Sequence, residues 1–424
     1  MKLLISRARI IDPLSPHHQK KCDVFIQDGI ITSIQSHQIN KKHSGYKVYD
    51  AKDQLFMPAF VDLRAHSGEP GFEQKETLKT LAKAAQHGGF SAIVCRPDTL
   101  PFIQSKNDVV YFYNQAKELP IDLWPTGALT QNCEGKEMNE LYDMHQAGAV
   151  AFSNADKPLS HAGVLLRSIQ YSSIFKGLVM VYANEPSIAS ATGVNEGETA
   201  TYIGIKGMPT LAEELMVMRD LKIAKYANAP IHFSRITSAA SVELIKKAKK
   251  EQQAVSCDVS VAHLVWDDSV LESYDSNFKL NPPLRGKKDK QALWNGLIDG
   301  TIDAICTDHY PQDTEHKQVE FEYAAPGMTQ LQTACSLLLM HAPKNYDVSN
   351  LVTHLSHHPR KILNKPLSTI EIGKSPDWIL FDPTLQWEFT AQNNHSSANN
   401  SPVLNKNLQG KVMATFFKNT FTEL

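Results

Sequence analysis

The sequence predicts an α/β protein in which a (β/α)8 barrel carries a small β-sandwich domain formed from both termini. Three observations carry that expectation. From Met57 onward, short apolar runs alternate with amphipathic helical stretches, the pattern of parallel strands joined by crossover helices. The number of these runs is the eight that close a barrel. Strand and hairpin signals return at both ends of the chain, before Met57 and after Pro359. This places the barrel at residues 58–365 and the β-sandwich at residues 1–57 and 366–424.

The elements can be taken in order. Leu3 to Ile11 is β-rich, and Asp28-Gly29 sits between two apolar runs, which is a hairpin signature. Ala59 to Leu63 is apolar and bounded by Pro58 before and Gly68, Pro70 and Gly71 after, as an interior strand opening into a loop should be. A helix near Lys75 to His87 places Leu78, Leu81, Ala82 and Ala85 on one face and stops at Gly88-Gly89. Strand Phe90 to Cys95 follows. Further strands are predicted at Ile121–Thr126, Ala149–Ser153, Leu178–Tyr182, Pro230–Ser234, Ala254–Val259 and Ile302–Thr307. Past Pro359 the predicted strands are Thr369–Ile372, Asp377–Asp382 and Lys411–Phe417, with a loop from Gln392 to Asn407.

Composition narrows the function classes. With 43 Lys and Arg against 45 Asp and Glu, no whole-chain charge draws the protein to nucleic acid or an anionic membrane, and neither is expected as a partner. The six cysteines, Cys22, Cys95, Cys133, Cys257, Cys306 and Cys335, form no CxxC pair and read as reduced, buried thiols. The N-terminus turns charged before any signal-length apolar segment develops, and no later run approaches membrane-spanning length, so a cytoplasmic protein is expected.

Asp62, Arg64 and His66 alternate along the first barrel strand and share one face. That spacing is similar to the Asp-x-His-x-His strand of the amidohydrolases, whose two histidines grip a divalent metal. Here the first histidine position is Arg64, which has no free lone pair to give a metal. Three further motifs, Glu69-Pro-Gly-Phe-Glu-Gln-Lys-Glu-Thr77, Lys279-Leu-Asn-Pro-Pro-Leu-Arg285 and Asp299-Gly-Thr-Ile-Asp-Ala-Ile-Cys-Thr-Asp-His-Tyr-Pro311, occur in the order found in dihydroorotases. Over nearly its whole length the chain resembles that family. The resemblance implies the barrel and terminal β-sandwich, and the reversible cyclisation of carbamoyl aspartate to dihydroorotate in pyrimidine biosynthesis. It also implies a hydrolase acting on cyclic amides, with a metal pair that activates water and an aspartate that shuttles the proton.

Carried over residue by residue, the family's ligand set is mostly replaced. His66 and Asp308 remain as vestigial metal ligands, and Asp308 is also the vestigial catalytic shuttle. The other ligand positions hold Arg64, Asn154, Tyr182 and Arg235, and Asp156 lies out of register for bridging. Gly68 and Asp98 stand where the family holds the substrate carboxylate, so a carboxylate there would face a carboxylate; Asn281 and His309 match retained substrate-binding positions. The leading expectation is a non-catalytic, dihydroorotase-like pseudoenzyme with no cofactor. Its implied role is structural partner of aspartate transcarbamoylase, and it is expected to form a homo-oligomer. At least one of Arg64 and Arg235 should pair with Asp308, supplying charge where the metals were. The alternative is an active cyclic amidohydrolase with a reduced or relocated zinc site, for which His263 and His309 could join His66 and Asp308. The clusters His316, His354 and His357-His358 read as solvated, and Cys257 and Cys306 as core residues.

Overall fold

A computed structural model describes residues 2–37, 45–189 and 192–424. The barrel strands are β1 (Phe60–Ala65), β2 (Phe90–Cys95), β3 (Asp122–Ala128), β4 (Ala151–Ser153), β5 (Met180–Val181), β6 (Ile231–Phe233), β7 (Val255–Ser260) and β8 (Ala304–Cys306). β1 to β4 and β5 to β8 form two parallel four-stranded sheets in sequence order. Parallel bridges Phe152–Val179 and Ala65–His309 join them at both seams, so the sheet curls back on itself. All eight strands fall where the alternation of apolar runs predicts them.

The first crossover shows why these residues fold this way. Thr77 caps helix Leu78–Gly88 by accepting from the Thr80 N–H, and Thr80 returns a side-chain oxygen to the Thr77 N–H, a reciprocal cap. Leu78, Leu81, Ala82 and Ala85 are buried beneath it. The helix ends at Gly89 with φ 86°, whose N–H reaches the carbonyls of Ala85 and Gln86, and β2 begins at the next residue.

Strands from both termini form one eight-stranded sheet, in the order Thr420–Glu423, Lys406–Phe417, Trp378–Phe389, Leu55–Pro58, Lys2–Ile10, Lys21–Gln27 and Ile30–Ser36, with Lys47–Asp50 also on Lys2–Ile10. The predicted hairpin is present: Asp28 and Gly29 both have positive φ, 50° and 83°, between antiparallel strands. Trp378 stacks on Phe416 in the core of this sheet. Two expectations are corrected. Thr369–Ile372 is not a strand; Ile370 is buried, and its N–H donates to the Asp12 carboxylate at 2.7 Å instead of to a neighbouring strand. His354 and His357 are buried, because they lie on a helical segment packed against the barrel, and His354 Nδ1 is 2.9 Å from the Tyr346 hydroxyl. No helix among the described residues is long and apolar enough to cross a membrane.

Candidate functional site

The C-terminal ends of the strands converge on one buried group of charges. Arg64 lies near the end of β1, Arg96 just past β2, Asn154 and Asp156 past β4, Tyr182 past β5, Arg235 past β6 and Asp308 past β8. This is the end of a barrel at which side chains from different strands meet. Asp308 accepts from Arg64 Nε at 3.0 Å through one oxygen and from Arg235 Nη1 at 3.1 Å through the other. The expected pairing of a guanidinium with Asp308 is therefore met twice.

Asp156, although out of register for bridging two metals, is the centre of the group. It accepts from Arg64 Nη2 at 2.7 Å and from Arg235 Nη2, and forms an ion pair with Arg96 Nη2 at 2.6 Å. Burial alone would raise its carboxyl, but Arg235, Arg96 and Arg64 together hold it far below the usual carboxylate range. Ala155, Arg235 and Asp308 all have left-handed backbones, with φ of 55°, 58° and 49°. Non-glycine residues hold that conformation only where surrounding contacts over-determine it. At Ala155 it turns the chain so that Asp156 faces back into the barrel mouth.

The remaining residues brace this group. The Arg235 guanidinium lies 4.8 Å from the Tyr182 ring centre, and the Tyr182 hydroxyl donates to Asn281 Oδ1 at 2.8 Å. Asn281 also accepts from Arg235 through its backbone oxygen at 2.6 Å. Arg96 lies over Tyr310, and Tyr310 stacks on His66 with ring centres 4.7 Å apart. Asp98, expected to repel a substrate carboxylate, is instead neutralised by Arg96, which donates to it through Nε at 2.9 Å and through Nη2. Asn154 turns away from the charges and exchanges hydrogen bonds with Thr130.

Of the histidines available to a metal, His263 and His309 use both ring nitrogens within the protein and His66 uses one. His66 Nδ1 accepts from the Gly68 N–H at 3.0 Å. His309 accepts from the Gln330 N–H at 3.1 Å through Nδ1, while Nε2 faces Glu76 at 3.3 Å. His263 lies between the Ser260 hydroxyl and the Pro283 carbonyl. Asp308 and Asp156 spend their oxygens on arginines, so the donor set does not fit a zinc centre, which needs three or four free N, O or S ligands. Among the described residues, no three His, Cys, Asp or Glu side chains cluster as metal ligands. All six cysteines are free and buried, and burial pushes the Cys257 and Cys306 thiols up.

Gly68 also has no room for the substrate arginine that the family resemblance implies there. Its φ is 70°, and a Cβ would lie 2.1 Å from the Glu76 carbonyl oxygen. Gly68→Ala is expected to destabilise the fold by more than ~1 kcal/mol, since strain and close approach both oppose it; a thermal melt of the variant checks this.

Burial draws His66 down to about 4 and pushes the Asp62 carboxyl up to about 7. A histidine with a lowered folded pKa contributes stability above its unfolded value of roughly 6.5 and loses it as pH falls toward the folded value. His66→Asn is therefore expected to flatten the loss of stability between about pH 6.5 and 4, by an amount on the order of 3 kcal/mol. Asp62 has the opposite sign: its stability is present below roughly pH 3.9 and is lost as pH rises through about 7, so Asp62→Asn should steepen the same acid-side loss. Urea titrations across this range read both slopes.

Comparison with known proteins agrees with this architecture. A family model described as Dihydro-orotase-like matches residues 53–241. A dihydroorotase of Syntrophus aciditrophicus is 35% identical over 417 residues, covering 98% of this chain and 97% of the relative. A dihydroorotase of Pelotomaculum thermopropionicum is 34% identical over the same length. Among solved structures, the L-hydantoinase (dihydropyrimidinase) of Arthrobacter aurescens superposes with a TM-score of 0.87 at 21% identity, covering 99% of this chain and 96% of that one. The dihydropyrimidinase of Brevibacillus agri gives 0.83 at 19% identity, with 99% and 95% covered. With the amidohydrolase barrel in place and a third of its residues shared end to end with dihydroorotases, the chain belongs to the dihydroorotase-like family.

Proposed function

We propose that this protein is a non-catalytic member of its family, attached to pyrimidine biosynthesis through a binding role. The observation that carries the proposal is the engagement of both Asp308 oxygens by Arg64 and Arg235. A carboxylate with both oxygens engaged by buried guanidinia has none left to face a substrate proton or a metal-bound water. Arg96 and Asp156 complete a group of three arginines and three aspartates with Arg64, Arg235, Asp98 and Asp308, which balances its own charge without a metal.

The test joins two measurements on one sample. After purification in zinc-supplemented buffer, the protein is expected to hold less than stoichiometric zinc and to show no cyclisation of carbamoyl aspartate above background. One zinc per chain together with turnover would overturn the proposal in favour of an active cyclic amidohydrolase with a relocated site. The partner proposed is aspartate transcarbamoylase, a reading supported by family resemblance. Recovery of this chain only as a free species when native extracts are fractionated would count against that partner.

A further inference from the structure

At the opposite end of the barrel, where β2 and β3 begin, a cavity of about 380 Å³ lies between the barrel and the segment that leads into the terminal sheet. Its walls include Ser91, Trp124, Arg360, Lys365, Lys374 and Asp377. Arg360 is the unusual member. It is 5% exposed, donates to the Ser91 hydroxyl at 3.2 Å, leaves its buried Nε without a partner and forms no ion pair among the described residues. Burial draws its pKa below the ordinary arginine value although Asp377 and Asp122 oppose that fall. A buried cation without a counter-charge is costly. Arg64, Arg96 and Arg235 each have an aspartate in ion-pair contact; Arg360 has Asp377 on the same wall but no such contact among the described residues.

Charge counting identifies what would complete it. Asp122, also on the wall, is paired with Lys418 at 3.0 Å. That leaves Asp377 against Arg360, Lys365 and Lys374, a surplus of two positive charges. The Lys365 ammonium stands 5.0 Å from the Trp124 ring centre, at one side of the same cavity. The lining also includes Thr369 and Ser375, whose hydroxyls can donate, while the Ser368 hydroxyl is spent on the Asp377 carbonyl at 2.9 Å. A planar carboxylate carries one charge and two acceptor atoms, whereas a phosphate group carries about two charges and three acceptor oxygens.

We propose that this cavity is a binding site for a phosphate-class oxyanion, free or borne on a small metabolite, held by Arg360, Lys365 and Lys374. It is separate from the arginine–aspartate group, so its occupancy does not depend on whether the barrel mouth performs chemistry. A short π-helical turn, Thr353–His357, immediately precedes the helix that carries Arg360; such turns recur at binding sites.

Calorimetric titration of the full chain with inorganic phosphate, a sugar monophosphate and succinate tests this. Saturable binding is expected for at least one phosphate compound and not for succinate. Lys374→Glu, at an exposed position, should weaken it at least tenfold, and Arg360→Lys should retain part of it. Lys287→Glu, which makes the same charge change on a distant surface, should leave it intact. Phosphate alone binding assigns the free anion; the sugar phosphate alone assigns an ester. No saturable heat with either, equal loss in the Lys374 and Lys287 variants, or a preference for succinate would overturn the proposal. Circular dichroism on each variant confirms that a lost signal is not a lost fold.

Discussion

Replacing Asp156 by alanine is expected to destabilise the protein by about 3 to 5 kcal/mol, the range for breaking a buried ion pair from one side. The substitution removes the one carboxylate shared by Arg64, Arg96 and Arg235, leaving three guanidinia that are 5% exposed or less against the two carboxylates of Asp98 and Asp308. Asp308→Ala should cost less, because Asp308 meets two guanidinia where Asp156 meets three. Urea unfolding with an unchanged m-value would establish both magnitudes and their order. A second-site change, Arg235→Met, should recover part of the Asp156→Ala loss, since it removes one of the stranded cations. In a working metalloenzyme the same alanines would chiefly abolish turnover. An Asp156→Ala variant as stable as the parent would remove the physical basis of the proposed function.

The second large effect is expected at Glu76. This buried carboxylate accepts from the Ser397 N–H at 3.0 Å and from the hydroxyls of Ser396 and Thr80, and its Oε2 lies 3.3 Å from His309 Nε2. It thereby ties the long C-terminal loop to the start of the first barrel helix and to the segment after β8. Burial works to raise its carboxyl, yet its pKa is lowered by His309, Ser396 and Thr80. Glu76→Ala should cost roughly 2 to 4 kcal/mol, by leaving the buried His309 and the half-buried Thr80 and Ser396 hydroxyls without their acceptor. Limited proteolysis should also cut near Ser396 in the variant and not in the parent. A variant with the parent's melting temperature and an uncut loop would show that the tie is dispensable.

The fold was more legible than the site, for a physical reason. Strand Phe90–Cys95 could be bounded to the residue, because an apolar run between Gly88-Gly89 and Pro97 has only one place to begin and end. The helix before it could be read from its buried face and glycine stop. Met180–Val181 is shorter than the apolar run that predicts it, and Val179 before it makes only an isolated bridge to Phe152. At the site, Arg64 and Arg235 were legible as substitutions within a motif, and their charge implied a carboxylate partner. Arg96 and Asp156 were not. Each pairs with residues from other strands, and Asp156 reaches them only through the left-handed turn at Ala155, which no periodicity announces. His309 matched a motif but spends both ring nitrogens inside the protein, a commitment that only tertiary contacts reveal.

The arginine–aspartate group also changes what the folded population responds to. Where a metal holds a barrel mouth together, apparent stability rises with free metal and falls when a chelator or a competing protein withdraws it, by mass action. Here the counter-charges of Asp156 and Asp308 are attached to the same chain. Their local concentration is fixed by the backbone and cannot be diluted or sequestered. This protein should therefore keep its shape, and any surface it offers to others, through swings in cellular zinc that would empty and loosen a metal-dependent relative.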